Sequence, residues 1–494
     1  MDLAALLRTL LLGGTANLAA YLAAHVILCL LPAFLIAGAM TALIPKEAVT
    51  RFLGRDAPGW ISYPAAALAG STLAVCSCTI VPLFAGIYKK GAGLGPAITF
   101  LFFAPAANIL ALIYTGGVIG VDMALARLLL SLAFGMGIGM IMALLFRRED
   151  AARDAGDDQL FAAHGPVGMR RPAGLFLLTL LALLLAGTLK IEPLSHRVSE
   201  MVLPFPGAQS VQGALDRLVP YDASRGEEGI TPQGVVVIGL LAWLAVVSWK
   251  GIEDIHRRFS PWTWAALGLT AVTLVAASVE VRSDARGLSI AMTGRTLGVW
   301  LALPVLLYLG RRHLRQAEVR DWLWESWRFV KQIFPLLALG VFLVGSIRPL
   351  IQPEWIEAVA GRNTALGNMA GVAFGVFMYF PTLVEVPIAR MFLDLGMHPG
   401  PLLAYLMADP ELSLQSILIV SAIIGPRKAW TYVGWVALFS TLAGLLFGAW
   451  RDGLGVAPVL GWLGAFLALL ALGLRWVARM GFRGSTAARQ SASH

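Results

Sequence analysis

Apolar runs of about 20 residues, the length a helix needs to cross a bilayer, recur from one end of this chain to the other. About twelve or thirteen can be delimited, the clearest at Leu18–Ala42, Leu94–Gly116, Met123–Phe146, Ala173–Leu189, Trp262–Val279, Phe329–Ile347, Leu412–Gly425, Trp430–Trp450 and Val459–Val477. Gly234–Val247 and Thr296–Gly310 are shorter and leave the count open. Met1–Ala20 holds Arg8, a Leu run and small residues, but no basic stretch followed by cleavage chemistry. It reads as a retained approach to the first helix.

The polar connections predict orientation. Arg147–Pro172 carries Arg147, Arg148, Arg153, Arg170 and Arg171 after four expected spans, and Arg311–Lys331 carries Arg311, Arg312, Arg315, Arg320, Arg328 and Lys331. Basic loops face the cytoplasm. Both votes agree if four spans lie between them, which places the N-terminus inside and makes Lys190–Gln233 an external loop. The tail, with Arg475, Arg479, Arg483 and Arg489, disagrees, because thirteen spans would put it outside. Trp60, Trp249, Trp262, Trp322, Trp430 and Trp450 sit near span ends, as interfacial anchors do.

Composition settles the solvent. Only 14% of the 494 residues are charged, 58% are hydrophobic and the mean hydropathy is +0.75. A soluble domain with a polar shell does not sustain that balance. The net charge of +9 does not mark a nucleic-acid binder, because the 38 Lys and Arg residues are scattered through the connections. Three cysteines, Cys29, Cys76 and Cys78, give no disulfide framework.

One offset recurs within the chain. At a shift of 305, Gly70 aligns with Gly375, Pro82 with Pro387, Gly91 with Gly396, Gly95 with Gly400, Pro96 with Pro401 and Pro105 with Pro410. With small slips, Gly54-Arg55 resembles Gly361-Arg362 and Pro32 resembles Pro335. The expected fold is therefore an all-α polytopic membrane protein. Two four-span repeats with helices broken by Pro and Gly flank an inserted central region of further spans. The boundaries fall at 1–146 (first repeat, its unit starting near His25), 147–327 (cytoplasmic linker, inserted spans and external loop), 328–450 (second repeat) and 451–494 (last span and tail). Four intervening spans give parallel copies and an odd number inverts them. Repeats of either kind place a site near the midplane where they meet.

A proline inside a helix leaves the carbonyl four residues earlier unpaired, so Pro82 frees Cys78, Pro387 frees Leu383, Pro105 frees Leu101 and Pro410 frees Leu406. Backbone opened in this way is tolerated at membrane depth only where protein or water satisfies it. Both Lys89–Pro96 and Asp394–Pro401 read as turns into a helix start, with Pro96 at a first helical position. Cys76 and Cys78 lie about 200° apart on a helix and share a ligand only if the chain unwinds. Opened, Cys76, Ser77, Cys78 and Thr79 would suit a soft, thiophilic solute, with Cys29 as a third sulfur. Packed, the same cysteines are small hydrophobes.

Ionisable residues inside spans are costly and face partners or water. Glu385 and Arg390 flank Pro387, and Asp409 and Glu411 flank Pro410; the first repeat has Ile80, Ala104 and Ala106 opposite the three acids. One reading makes Glu385 and Asp409 proton carriers, with Glu411 and Arg390 beside them. The other makes Asp409 and Glu411 caps of the following half-helix. Asp122 and Arg127 read as a structural pair, and Asn108 either binds solute or ties helices. Gly135, Gly137 and Gly139 read as a close-packing face.

The run from Cys76-Ser-Cys-Thr-Ile-Val-Pro82 through Gly91-Ala-Gly-Leu-Gly-Pro96 to Ala104-Pro-Ala-Ala-Asn108, with Val386-Pro387 to Pro410, resembles the ArsP-type permease family. The resemblance implies a bacterial inner-membrane, multi-pass permease that exports trivalent organoarsenicals such as methylarsenite. Trivalent arsenic bonds to thiolates, so Cys76 and Cys78 would hold the metalloid as substrate; Ser77, Thr79, Pro82, Pro105 and Asn108 complete the expected substrate site. Thr79 stands where the family often has Gly. The expected partners are a small-molecule substrate and membrane lipid, with self-association left open and no nucleic acid; no resident cofactor is expected. The alternatives are a permease for another metal-containing or uncharged solute and, less favoured without a C-x-x-C pair, a membrane thiol oxidoreductase.

Overall fold

The computed structural model describes residues 3–24, 26–55, 57–73, 77–150, 170–188, 192–204, 207–219, 229–257, 259–284, 287–347, 350, 354–377 and 382–491. Its first unit comprises α1 (Leu3–Ala24), a π-helical turn (Val26–Leu30), α2 (Leu31–Leu43), the short α3 (Lys46–Leu53), α4 (Gly59–Thr72), α5 (Ser77–Lys89), α6 (Leu94–Ala106), α7 (Ile109–Val118) and α8 (Val121–Leu145). The insertion begins with α9 (Arg171–Thr188), β1 (Arg197–Leu203) and α10 (Ala208–Leu218). It continues through α11 (Pro232–Ile252), α12 (Pro261–Ser278), β2 (Glu280–Asp284), β3 (Gly287–Thr293) and α13 (Gly294–Arg312). The second unit is α14 (Gln316–Ile347), α15 (Glu354–Ala360), α16 (Ala365–Phe377), α17 (Thr382–Asp394), α18 (Pro399–Leu412), α19 (Leu414–Ile424) and α20 (Pro426–Arg451), followed by α21 (Val456–Ser491). The chain is an all-α polytopic membrane protein. Among the described residues, nine helices are long and apolar enough to cross a membrane, or up to 11 with each bent pair taken as one span.

The count falls short of twelve or thirteen partly because α4 and α5 are not a span. With 14 and 13 residues, each is about 20 Å long, against roughly 30 Å of hydrocarbon. Helix α4 runs alongside α6 in the same sense. A Cβ on Gly70 would stand 2.9 Å from the Phe100 carbonyl, and one on Gly95 would press on the Tyr63 hydroxyl. Helix α5 then returns to the turn before α6, where Gly93 N–H donates to the Leu53 carbonyl at 2.8 Å, just ahead of α4. Both feet of the α4/α5 hairpin therefore stand at one end of the bundle. The α16/α17 hairpin repeats the arrangement: Gly371 lies on Pro401, Gly375 on Asp409, and His398 N–H donates to Ala360.

The spacing of 305 reappears in local geometry. Gly91 and Gly396 both adopt left-handed φ, 87° and 90°, at the ends of α5 and α17. In each case the next N–H closes a six-residue loop onto the helix, Ala92 to Ile87 and Met397 to Phe392. Gly95 meets Gly139, and Gly400 meets Gly444, backbone against backbone. Phe134 and Phe439, also 305 apart, touch each other with ring centroids 4.8 Å apart.

The units run in opposite senses. The start of α8 pairs with the end of α20 (Asp122–Arg451, 2.6 Å), and the residues after α8 pair with the start of α20 (Glu149–Lys428, 3.3 Å; Glu149–Arg427, 3.6 Å). Helices α1 and α2 follow α14 in reverse, with Gly14 on Phe342, Asn17 bonded to the Val341 carbonyl (2.8 Å), and Gly38 on Ser326. Arg170 pairs with Glu318 at 3.3 Å, which puts the start of α9 and the start of α14 at the same end. The N-terminus thus lies at the end opposite the arginine-rich segments, contrary to the expected inside position. Each unit crosses three times instead of four, because its hairpin turns back. Four crossings still intervene, yet the units are antiparallel. Helix α21 returns along α20 (Phe439–Phe466 centroids, 5.5 Å) and carries the tail toward the arginine-rich end, which removes the tail's disagreement with the charge rule.

The inserted helices begin on ordinary signals: Thr231 caps α11, and Ser260 with Thr263 forms a capping box on α12 with Pro261 at N1. Gln233 ties the start of α11 to the end of α12 through the carbonyls of Ala276 and Val279. The expected external loop contributes β1 to one three-stranded sheet, in which β1 pairs antiparallel with β3, and β3 with β2.

Candidate functional site at the helix breaks

Both crossing paths next to the hairpins are broken, at Ala107-Asn108 between α6 and α7 and at Ser413 between α18 and α19. The prolines flank these interruptions. Pro105 and Pro410 lie in the last turns before them, and Pro82 and Pro387 lie within α5 and α17, downstream of the hairpin tips. The first break is held by Asn108, whose Oδ1 accepts from Ala111 N–H (2.8 Å) and whose Nδ2 donates to the Pro105 carbonyl (3.3 Å). The second is held at the equivalent position by Ser413, whose Oγ accepts from Ser416 N–H at 3.4 Å. Both of these Asn108 contacts lie within its own break. Thr79, Pro82 and Pro105 are all buried beside the breaks.

Around the breaks lies a set of fully buried charges. Arg127 of α8 donates from Nε to the Ala106 carbonyl (2.8 Å), an acceptor orphaned where α6 stops. Its Nη1 reaches Thr115 Oγ1 (3.3 Å), and its Nη2 reaches both oxygens of Glu385 on α17 (3.2 and 3.3 Å). Neither side chain of the Arg127–Glu385 pair is exposed at all. The pair thus joins the break of the first unit to the hairpin of the second. At the matching position of the second unit, Tyr432 stands for Arg127 and Glu411 for Ala106, and the Tyr432 hydroxyl donates to Glu411 Oε2 at 2.6 Å. Asp409, also fully buried, sits two residues earlier on α18 against Gly375.

The structure redistributes several expected partners. Arg127 pairs with Glu385 and not with Asp122, whose carboxylate goes to Arg451. Five residues separate Asp122 from Arg127, so the two leave the helix on different sides. Arg390 is not brought to the site; it is exposed and pairs with Asp394 along α17 at 3.1 Å. Cys76 lies outside the described residues, and Ser77 and Cys78 are the first two residues of α5, at the end of the hairpin away from its feet. Cys29 is buried in the π-helical turn of the first path. Of the three glycines on α8, Gly135 packs on Phe102 and Phe103 and Gly139 on Thr99 and Gly95, whereas Gly137 faces open space. Arg127, Thr115 and Tyr432 were the site residues least visible in sequence. The 305 spacing held the clue, since it places a polar residue at 127 and again at 432.

The profile of the ArsP_1 family, described as predicted permease, matches residues 11–449. The chain belongs to this family. A UPF0718 protein of Methanocaldococcus jannaschii is 32% identical over 428 residues, covering 87% of the permease and 93% of the relative. The UPF0718 protein YraQ of Escherichia coli is 27% identical over 118 residues, covering 24% of the permease and 34% of that relative. No solved structure matches. The chain is therefore a permease by family, and the buried Arg127–Glu385 pair lies between its two units.

Proposed function

We propose that this permease exports a small, soft, thiol-reactive solute, such as a trivalent organoarsenical, across the bacterial inner membrane in exchange for protons. The two units are read as diverged, inverted copies that rock about their shared interface. The observation that carries the coupling is the Arg127–Glu385 pair, buried completely and spanning that interface. A carboxylate that protonates there releases its hold on Arg127, and the units are free to part; deprotonation restores the hold. Asp409 and Glu411 on the neighbouring broken helix extend the proton path. The position of Ser77 and Cys78 at the far end of a re-entrant hairpin supports a solute site there, where thiolate sulfur would bond a metalloid.

Uptake of methylarsenite, arsenite and antimonite by everted vesicles, with and without an acid interior, tests the reading. Methylarsenite accumulation is expected in wild type, with strong loss in Cys76→Ser/Cys78→Ser. No uptake of any of the three sinks the arsenical cargo, and uptake indifferent to the cysteines removes the thiol mechanism. Glu385→Gln and Asp409→Asn are expected to abolish the dependence on the pH gradient; preserved dependence refutes the proton path.

A further inference from the structure

The permease contains a second recess, far from the broken helices. A cavity of about 1590 Å³ opens between α11, α12 and α13 of the insertion and the paired helices α2 and α14. It exceeds the roughly 300–1,000 Å³ of an ordinary small-solute pocket. Among the described residues lining it, none belongs to the candidate transport site. Its inner wall is aliphatic and aromatic, from Leu30 and Phe34 to Leu274 and Leu303.

Its chemistry is graded from one end to the other. The charged residues among those lining it are Arg311, Arg320 and Lys331, with no acid, and all three come from the segment at the arginine-rich end. Trp264 and Trp327 stand beside them: the Arg311 guanidinium lies 5.0 Å from the Trp264 ring centre, and Lys331 lies 6.0 Å from that of Trp327. Glu253, just outside the lining, accepts from Lys331 Nζ at both carboxylate oxygens, at 2.7 and 2.8 Å, and from Trp327 Nε1 at 2.9 Å. Those hydrogen bonds hold the Glu253 carboxyl below the usual carboxylate range, so it neutralises Lys331 at physiological pH. The remaining positive charge at the mouth is that of Arg311 and Arg320.

We infer that this groove is a binding site for an anionic phospholipid of the cytoplasmic leaflet. Its acyl chains lie along the apolar wall and its phosphate sits at Arg311 and Arg320, within the tryptophan belt. An apolar trough with a basic, aromatic mouth matches the amphipathic order of such a lipid, since basic residues at the membrane surface attract anionic headgroups. A zwitterionic lipid would fill the trough but leave the mouth without its counter-charge. The inserted helices, absent from a plain pair of units, thus build a lipid seat beside α14, the helix against which α1 and α2 pack.

Native mass spectrometry and thermal unfolding of the full chain in nanodiscs test this, with phosphatidylglycerol against phosphatidylcholine. Retention of phosphatidylglycerol and a higher Tm in that lipid are expected for wild type. Arg311→Gln/Arg320→Gln should lose most of the phosphatidylglycerol preference while unfolding in phosphatidylcholine at the wild-type Tm. Gly268→Phe tests the trough independently, because a side chain there enters open space within the groove. It should reduce retention of both lipids at least severalfold. Equal retention of the two lipids by wild type, a preference untouched by the arginine changes, or full retention in Gly268→Phe each overturns the site. Displacement of wild-type lipid by methylarsenite would instead make the groove part of the transport route. None of these readouts depends on transport activity.

Discussion

The two breaks occupy equivalent places and are stitched by different chemistry. In the first unit a guanidinium holds the end of α6 through a backbone carbonyl, with Asn108 completing the turn. In the second, the place of that carbonyl is taken by the Glu411 side chain, and the guanidinium is replaced by the Tyr432 phenol. The permanent charge of the first unit needs a counter-ion in a medium that solvates none. It finds Glu385 across the interface, so the first break is tied to the second unit, whereas the Tyr432–Glu411 contact stays within its own unit. Symmetric backbones can thus carry an asymmetric charge, with one side supplying a fixed cation and the other supplying the titratable groups.

The sharpest way to break this contrast is to remove the cation. Arg127→Met leaves Glu385 buried without its partner and should cost about 3–5 kcal/mol, read as a large drop in Tm of the purified protein, together with loss of transport. The double variant Arg127→Met/Glu385→Leu should recover most of that stability while transport stays lost; a double variant as unstable as the single would show that Arg127 acts chiefly through Ala106 and Thr115. On the other side, Tyr432→Phe removes the donor to Glu411 at a cost of about 1–3 kcal/mol. A cost as large as that of Arg127→Met would erase the distinction between a charged and a neutral tie. Packing offers a third comparison. Gly139→Ala and Gly444→Ala each press a methyl onto the facing carbonyl of Gly95 or Gly400 and should cost about 1–3 kcal/mol alike, while Gly137→Ala, in open space, should be neutral or slightly stabilising. Unequal costs at 139 and 444 would weaken the equivalence of the two units. The smallest effect belongs to Arg451→Gln, which breaks a partly exposed pair with Asp122 and should move stability by no more than about 1 kcal/mol.

Much of this was written in the sequence. Apolar run length and scarcity of charge require a lipid-facing helical protein, because no soluble shell can be assembled from so few polar residues. The Pro and Gly spacing of 305 located the breaks to within a few residues, because these residues report local backbone conformation, which needs no distant partner. The polar residues Glu385, Asp409 and Glu411 stood out because each interrupts an apolar run. Tertiary structure alone decided three things. Whether residues 59–89 cross or turn back depends on what α4 and α5 pack against, and a run of apolar residues is compatible with either. That turn changes the first unit from four crossings to three and so reverses the relation between the two units and the side of the N-terminus. The partner of Arg127 was equally hidden: sequence offers Asp122 five residues away, while the fold brings Glu385 from 258 positions off, since a buried charge is satisfied by whatever lies near in space, and chain distance has no part in its energy.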